Sequence, residues 1–391
     1  MRSFPLTLFL GCLAALVPLA IEVSLPAVPA IADGLATSLS MTQWSFTGMF
    51  VGMAVGQLAV GPFCDRFGRR PALLWGLIAF IAAGAGCALA PTVEVLIACR
   101  TVQGFGASVG VLISKAVPRD VWDGPAATAK LSFVTSISTA AMMLGPVVGS
   151  LLLQALDWRG LFALLPAAGL LLLAVAWLRF PETLPPARRH QASYLQRYWA
   201  VLSTRRSMLY FLANSCLFGA MMAFVTGSPS ILLVTFQVDL LLYGLTYGLA
   251  IGCLTLGSFL NGLLAKRLTA RVRLLTGLAL ALLALAVLGT LTLWPNTGIA
   301  LLGGALFAGS CGFNYPNSQA AGLAGVPENA GVGAGLIGTL AYVMGAVSSG
   351  VIGFFGPGSV TTLVSAMFGF AVAGIALLIL LQVSRPADDQ W

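Results

Sequence analysis

Charge is what this chain has least of. Only 8% of its 391 residues are Asp, Glu, Lys or Arg, against about 25% in soluble proteins. Histidine is nearly missing as well, with His190 the single copy, in a polar stretch. That argues against histidine-based catalysis and against a histidine metal centre. The seven cysteines (Cys12, Cys64, Cys87, Cys99, Cys216, Cys253 and Cys311) lie in or beside apolar segments, without paired or metal-ligand spacing. They read as small apolar residues, not as a disulfide framework. With no His or Cys cluster, no nucleotide loop and no appended polar domain, a membrane-embedded enzyme or sensor finds no support.

What is present is hydrophobic, at 59% of the chain. Apolar runs of roughly 18–25 residues recur along its length, each enough to cross a hydrocarbon core of ~30 Å as a helix. The expected fold is an all-α integral membrane protein. Arg2 before an apolar stretch and a following Ala-Val-Pro-Ala imitate a signal peptide. That segment, however, is long, carries Glu22 and opens a series of similar segments, so it is read as a first span. Twelve spans are expected, over 6–31, 42–63, 72–90, 93–114, 130–154, 160–179, 207–235, 242–265, 273–293, 297–321, 331–354 and 360–383.

An even number of spans puts both termini on one side. Of the 20 Lys and Arg, 18 fall on that side, from Arg2 through Arg66, Arg69, Arg70, Arg188, Arg189, Lys266 and Arg267 to Arg385; Arg100 and Arg159 are the exceptions. Asp33, Glu94, Asp157 and Asp239 fall on the other. The positive-inside rule then makes both termini cytoplasmic. The net charge of +8 is accordingly a topology signal and not a nucleic-acid footprint, with binding of anionic lipid headgroups left open. The proline- and charge-rich stretch 180–206 reads as a cytoplasmic linker between two six-span halves, 1–179 and 207–391.

The halves look related. Gly56 to Leu74 can be laid on Gly257 to Leu275 at a constant offset, matching both glycines, two arginines and a Leu-Leu pair. The matched segments sit at the same place in each half, between its second and third spans. Parallel repeats of this kind are a transporter architecture, with substrate bound near the midplane.

Glu22 stands apart inside the run Leu16-Val-Pro-Leu-Ala-Ile-Glu22-Val-Ser-Leu-Pro26. A carboxylate at bilayer depth costs several kcal/mol unless it faces a partner or a water-filled cavity. It lies about 17 residues into its span, ~25 Å along a helix. Arg100, six residues past Glu94, reaches a similar depth, and Gln103 shares its helical face. The expectation is that proton and substrate compete at Glu22, with Arg100 biasing the acid; a static buried ion pair is the other reading. Gln103 either orients Arg100 or contacts substrate, or else makes an ordinary interhelical hydrogen bond.

Gly61-Pro-Phe-Cys-Asp65-Arg66-Phe-Gly68-Arg69-Arg70-Pro71 resembles the signature loop of the major facilitator superfamily. Arg100-Thr-Val-Gln103-Gly104-Phe-Gly106 resembles its fourth-helix motif, and Gly145-Pro146-Val-Val-Gly149 the fifth-helix motif associated with antiporters. With Leu25-Pro26-Ala-Val-Pro29 and Pro181-Glu182-Thr183, the pattern is most similar to the bicyclomycin/chloramphenicol resistance group of twelve-helix drug:proton antiporters. The resemblance implies two pseudo-symmetric six-helix bundles and alternating access driven by the proton-motive force. No cofactor or metal is implied, and a monomer embedded in membrane lipid, taking a small-molecule substrate in a bacterial inner membrane, is expected.

It also implies roles. Gly61, Asp65, Arg66, Gly68, Arg69 and Arg70 would form a cytoplasmic latch, with Asp65 following the second span and Gly68 in a tight turn. Gly145, Pro146 and Gly149 would set a bend or serve simply as small-residue packing. The second half departs from the pattern, with Lys266 where the acid is expected and Thr269 in place of glycine, so the same latch contacts are not expected there. Asn214, Met222, Tyr247, Asn314, Asn317 and Tyr342 are candidate cavity residues or ordinary packing. The function expected is export of small apolar or weakly cationic drugs, or alternatively of a sugar or amino-acid derivative.

Overall fold

The computed structural model describes residues 6–184 and 194–383. Arg2, Arg188, Arg189, His190 and Arg385 lie outside the described residues. Those described form helices and connecting turns, with twelve segments long and apolar enough to cross a membrane. The first is α1 (Leu6–Glu22), a 3-10 turn at Leu25–Ala27 and α2 (Val28–Gly34). Then come α3 (Leu39–Phe67), α4 (Arg69–Ala88), α5 (Val93–Val121), α6 (Gly124–Ala155) and α7 (Trp158–Arg179). After a short α8 (Tyr194–Ser203) follow α9 (Arg205–Pro229), α10 (Leu240–Leu264), α11 (Ala270–Thr290), α12 (Thr297–Ala324), α13 (Ala330–Phe355) and α14 (Val360–Val383). The chain divides into two compact units, Met1–Tyr194 and Leu195–Trp391.

Several helices outrun their apolar stretches. α3 carries Asp65 and Arg66 in its last turn, and α5 runs on through Lys115 and Asp120. A helix closes its own backbone hydrogen bonds wherever it lies, so nothing obliges it to stop where the apolar residues do. Asp65 therefore belongs to the end of α3, not to a loop behind it. Likewise 180–206 is not all linker. Val201 of α8 is fully buried with Phe211, Val326, Val332, Leu336 and Ile337, and Arg197 Nε donates to Asn329 Oδ1 at 3.2 Å. α8 is thus part of the second unit, while Phe180 packs its ring 5.7 Å from that of Phe9 in the first.

The first span is broken. Pro26 has no N–H to return to the carbonyl of Glu22, and the Ser24 hydroxyl donates to the carbonyls of Ile21 (2.8 Å) and Ala20 (3.1 Å). A side chain competing for those carbonyls favours unwinding, so α1 ends at Glu22 and the chain turns before α2. Pro18 likewise leaves the Ala14 carbonyl open, and Ser138 Oγ of α6 donates to it at 3.2 Å.

Small residues fix the remaining packing. A side chain on Gly52 would run into the Thr101 carbonyl, and one on Gly104 into that of Met49, which seats α3 on α5. In the second unit Gly257 is seated on the Gly309 carbonyl and Gly312 on that of Leu254, joining α10 to α12. Without a hydrophobic force between helices in lipid, such close backbone approach is the main source of adhesion. The seams correspond, and so do the helix starts. Leu39 and Leu240 begin α3 and α10, and Arg69 and Ala270 begin α4 and α11, each pair at the offset of the sequence repeat.

Candidate functional site

Glu22 sits at the break and is 2% exposed. Arg100 of α5 is fully buried at the same level. The guanidinium donates to the Ala20 carbonyl (Nη1, 2.9 Å), to Ser24 Oγ (Nη2, 3.0 Å) and to Gln103 Oε1 (Nη1, 3.1 Å). It also lies over the rings of Phe46 on α3 and Phe162 on α7, at 5.5 and 5.3 Å. A cation here meets carbonyls that the end of α1 leaves without helical partners, where the helix dipole is negative.

The sequence suggests Arg100 as the direct partner of Glu22. The guanidinium reaches the Ala20 carbonyl and Ser24 Oγ, on either side of the acid in the chain, as well as Gln103. Glu22 sets its Cβ against α6. A Cβ built on Gly145 would come 2.5 Å from Cβ of Glu22, and one on Gly149 would strike the Val23 carbonyl. Gly145, Pro146 and Gly149 are all buried, so this stretch of α6 is the seat against which the broken end of α1 rests. Gln103 orients Arg100 and is itself fully buried, with Gly84 leaving room for its amide. Ser24, Phe46, Phe162 and Gly84 were not singled out by pattern, since none is a residue type that draws notice in an apolar run.

The second cluster joins α3, α4, α5 and the segment after α7. Arg69 bridges two carboxylates, with Nη1 3.2 Å from Asp65 Oδ1 and Nε 3.1 Å from Asp120 Oδ2. Glu182 accepts from the first two backbone N–H groups of α4, Arg69 N (2.9 Å) and Arg70 N (3.2 Å). A carboxylate at a helix N-terminus opposes the positive end of its dipole. Thr183 Oγ1 donates to Asp120 at 3.4 Å, and Arg70 Nη2 donates to the Trp177 carbonyl at 2.8 Å. Gly68 makes the sharp passage between α3 and α4 with φ of 101°, a conformation that disfavours any other residue. Arg66 is exposed and lies over the Phe67 ring, 5.2 Å from its centre. Gly61 has open space where a side chain would be. Asp120 is absent from the sequence motif, yet an acid at the basic end of a span is a legible signal for it.

In the second unit the corresponding corner is built differently. Thr269 replaces Gly68 and caps α11 by accepting from Val272 N at 3.3 Å. Arg273 Nη1 donates to Asn261 Oδ1 at 3.1 Å, and Asn317 Nδ2 donates to the same oxygen at 2.9 Å. Lys266 has no part in these bonds. Of the candidate cavity residues, Asn317 lines a cavity of about 240 Å³. Asn214 Nδ2 donates across to Ser318 Oγ at 2.9 Å, and Tyr247 stacks between Phe224 and Tyr243 at 6.0 and 5.6 Å. Tyr342 packs edge-on to Phe218, Met222 is buried, and Asn314 is fully buried against Gly277.

Two helical units with a repeat relation and a buried acid at a broken span define a membrane transporter architecture. The chain matches the Major Facilitator Superfamily over residues 10–349, and it belongs to that family. It is 33% identical over 360 residues to the MFS-type transporter YdgK of Bacillus subtilis, covering 89% of this chain and 88% of that one. It is 30% identical over 362 residues to a bicyclomycin resistance protein homolog of Haemophilus influenzae, covering 90% and 89%. Its fold is similar to that of the Escherichia coli xylose transporter XylE in a partially occluded inward-open conformation, with a TM-score of 0.74 over 97% of each chain at 14% identity. The chain is therefore a multi-pass membrane protein of a transporter family, and the family is not one of enzymes.

Proposed function

We propose that this chain is a drug:proton antiporter that exports small apolar or weakly cationic compounds, of the chloramphenicol or bicyclomycin kind, across a bacterial inner membrane. It works as a monomer by alternating access, with both termini cytoplasmic and the proton-motive force as its energy source. Glu22 carries the reading, as a buried carboxyl at a helix break, with a fixed cation at the same level and a glycine seat behind it. An acid so placed can hold a proton or give it up on substrate binding, but its charge is too costly at that depth to be retained for packing alone. Mutual exclusion of proton and substrate converts a proton gradient into export, because each binding event displaces the other. Breaking the Asp65–Arg69–Asp120 cluster on the cytoplasmic side would accompany each change of access. The resistance protein homolog supports a drug as cargo.

The test is proteoliposome transport with a susceptibility panel in a pump-deficient bacterium, comparing the wild type with Glu22→Gln. Wild type is expected to raise resistance and to move protons on substrate addition, and Glu22→Gln to do neither while inserting normally. A Glu22→Gln protein that still drives drug against its gradient from a proton gradient would sink the proposal.

A further inference from the structure

The cavity of about 240 Å³ in the second unit lies among α9, α11, α12 and α14, lined by Tyr210, Ala270, Arg271, Arg273, Asn317 and Gln382. No carboxylate is among its described lining residues. Arg273 is fixed there, with Nη1 donating to Asn261 Oδ1 (3.1 Å) and to the Asn261 carbonyl (3.4 Å). This leaves Arg273 Nε buried without a hydrogen-bond partner. Gln382 is 6% exposed, and its Oε1 is also buried without one. A buried polar group left without a partner destabilises the fold, and here the two side chains that carry an unmet donor and an unmet acceptor line one cavity. The first residue of α11, Ala270, lines it too, adding the positive end of a helix dipole.

We propose that this cavity binds a phosphate-bearing anion. Its oxygens accept from Arg273 Nε and from the exposed Arg271, and a hydroxyl on the same ligand donates to Gln382 Oε1. The planar guanidinium suits phosphate oxygens, and a ligand with both an anionic oxygen and a hydroxyl meets both orphaned groups at once. Phosphoglycerol headgroups and dihydrogen phosphate share that chemistry. The cavity is at the end of the unit that carries Arg271 and Arg273, the side expected to face anionic lipid of the inner leaflet.

The full chain, purified in detergent, is examined by native mass spectrometry and thermal melting with dioleoylphosphatidylglycerol, dioleoylphosphatidylcholine or inorganic phosphate. Wild type is expected to prefer phosphatidylglycerol over phosphatidylcholine by about tenfold, or ~1.4 kcal/mol. Arg273→Gln, Arg271→Gln and Gln382→Leu should each erase most of that preference. Arg271 is exposed and outside the Asn261 bonds, so its substitution separates lost binding from lost folding. If inorganic phosphate raises the melting temperature of wild type but not of the variants, dissolved phosphate is a source; if only the lipid does, the headgroup is. Equal binding by wild type and all three variants overturns the proposal.

Discussion

Cβ of Glu22 stands 2.5 Å from where a methyl group on Gly145 would lie, so the glycine is what lets the acid take its place at the end of α1. Gly145→Ala must push the broken end of the first span away from α6. Overpacking of this kind costs about 1–3 kcal/mol, and it falls on the residue proposed to carry the proton. Drug:proton exchange in proteoliposomes should drop at least about tenfold, while the protein still inserts. Gly61→Ala is the control, because its Cβ would meet nothing within 4 Å. Its stability should stay within about 0.5 kcal/mol of wild type.

Arg100 and Ser24 share the same break but not the same burden. Ser24→Ala removes a hydroxyl that donates to two carbonyls and accepts from Arg100, and should cost about 1 kcal/mol. Arg100→Lys keeps the charge but loses the fork that reaches Ala20, Ser24 and Gln103 together, and an ammonium cannot replace it. Thermal melting in detergent should rank wild type above Ser24→Ala and Ser24→Ala above Arg100→Lys. A ranking with Arg100→Lys equal to wild type would mean that charge alone suffices there.

These two clusters mark how much was legible in the sequence. The twelve spans and the repeat were readable because lipid demands long apolar helices, and Glu22 and Arg100 because each violates that demand. Where the spans end was not, since Asp65 and Asp120 lie on helices that continue beyond the apolar run. The break after Glu22 was half visible in Pro26, but its second cause is the Ser24 hydroxyl, a residue that elsewhere in a span means little. The room for the Glu22 Cβ depends on Gly145, more than a hundred residues away, and no local pattern reports that. α8 was hidden by the prolines and charges before it, although Val201 and Tyr198 place an apolar face at helical spacing.

Gly68 and Thr269 occupy corresponding corners with different backbones. Gly68 has φ of 101°, while Thr269 is extended and caps its helix. Gly68→Ala should cost about 1–3 kcal/mol through strain alone. Thr269→Ala loses only the cap to Val272 N, about 1 kcal/mol. Melting temperatures should therefore fall further for Gly68→Ala, and placing glycine at 269 should be milder than either. The comparison distinguishes a turn that needs glycine from one that only needs a capping oxygen.

Arg69 between Asp65 and Asp120 makes the last prediction one of non-additivity. Both carboxylates bind one guanidinium, at 3.2 and 3.1 Å, so neutralising either leaves Arg69 with the other. Asp65→Asn and Asp120→Asn should each slow transport, and the double substitution should differ from their sum by about 0.5–3 kcal/mol, as expected for residues in one network. Glu182→Ala acts on a different part of the corner, the backbone N–H groups that open α4. Its coupling to Asp120→Asn should be smaller than that between the two aspartates, because Glu182 meets only the backbone of Arg69 and the Thr183 hydroxyl bond to Asp120 is long at 3.4 Å. The measurement is a double-mutant cycle on transport rate and on melting temperature together. Coupling in the rate but not in the melting temperature would place the cluster in the change of access. Coupling in both equally would make it a structural corner and remove the latch from the mechanism.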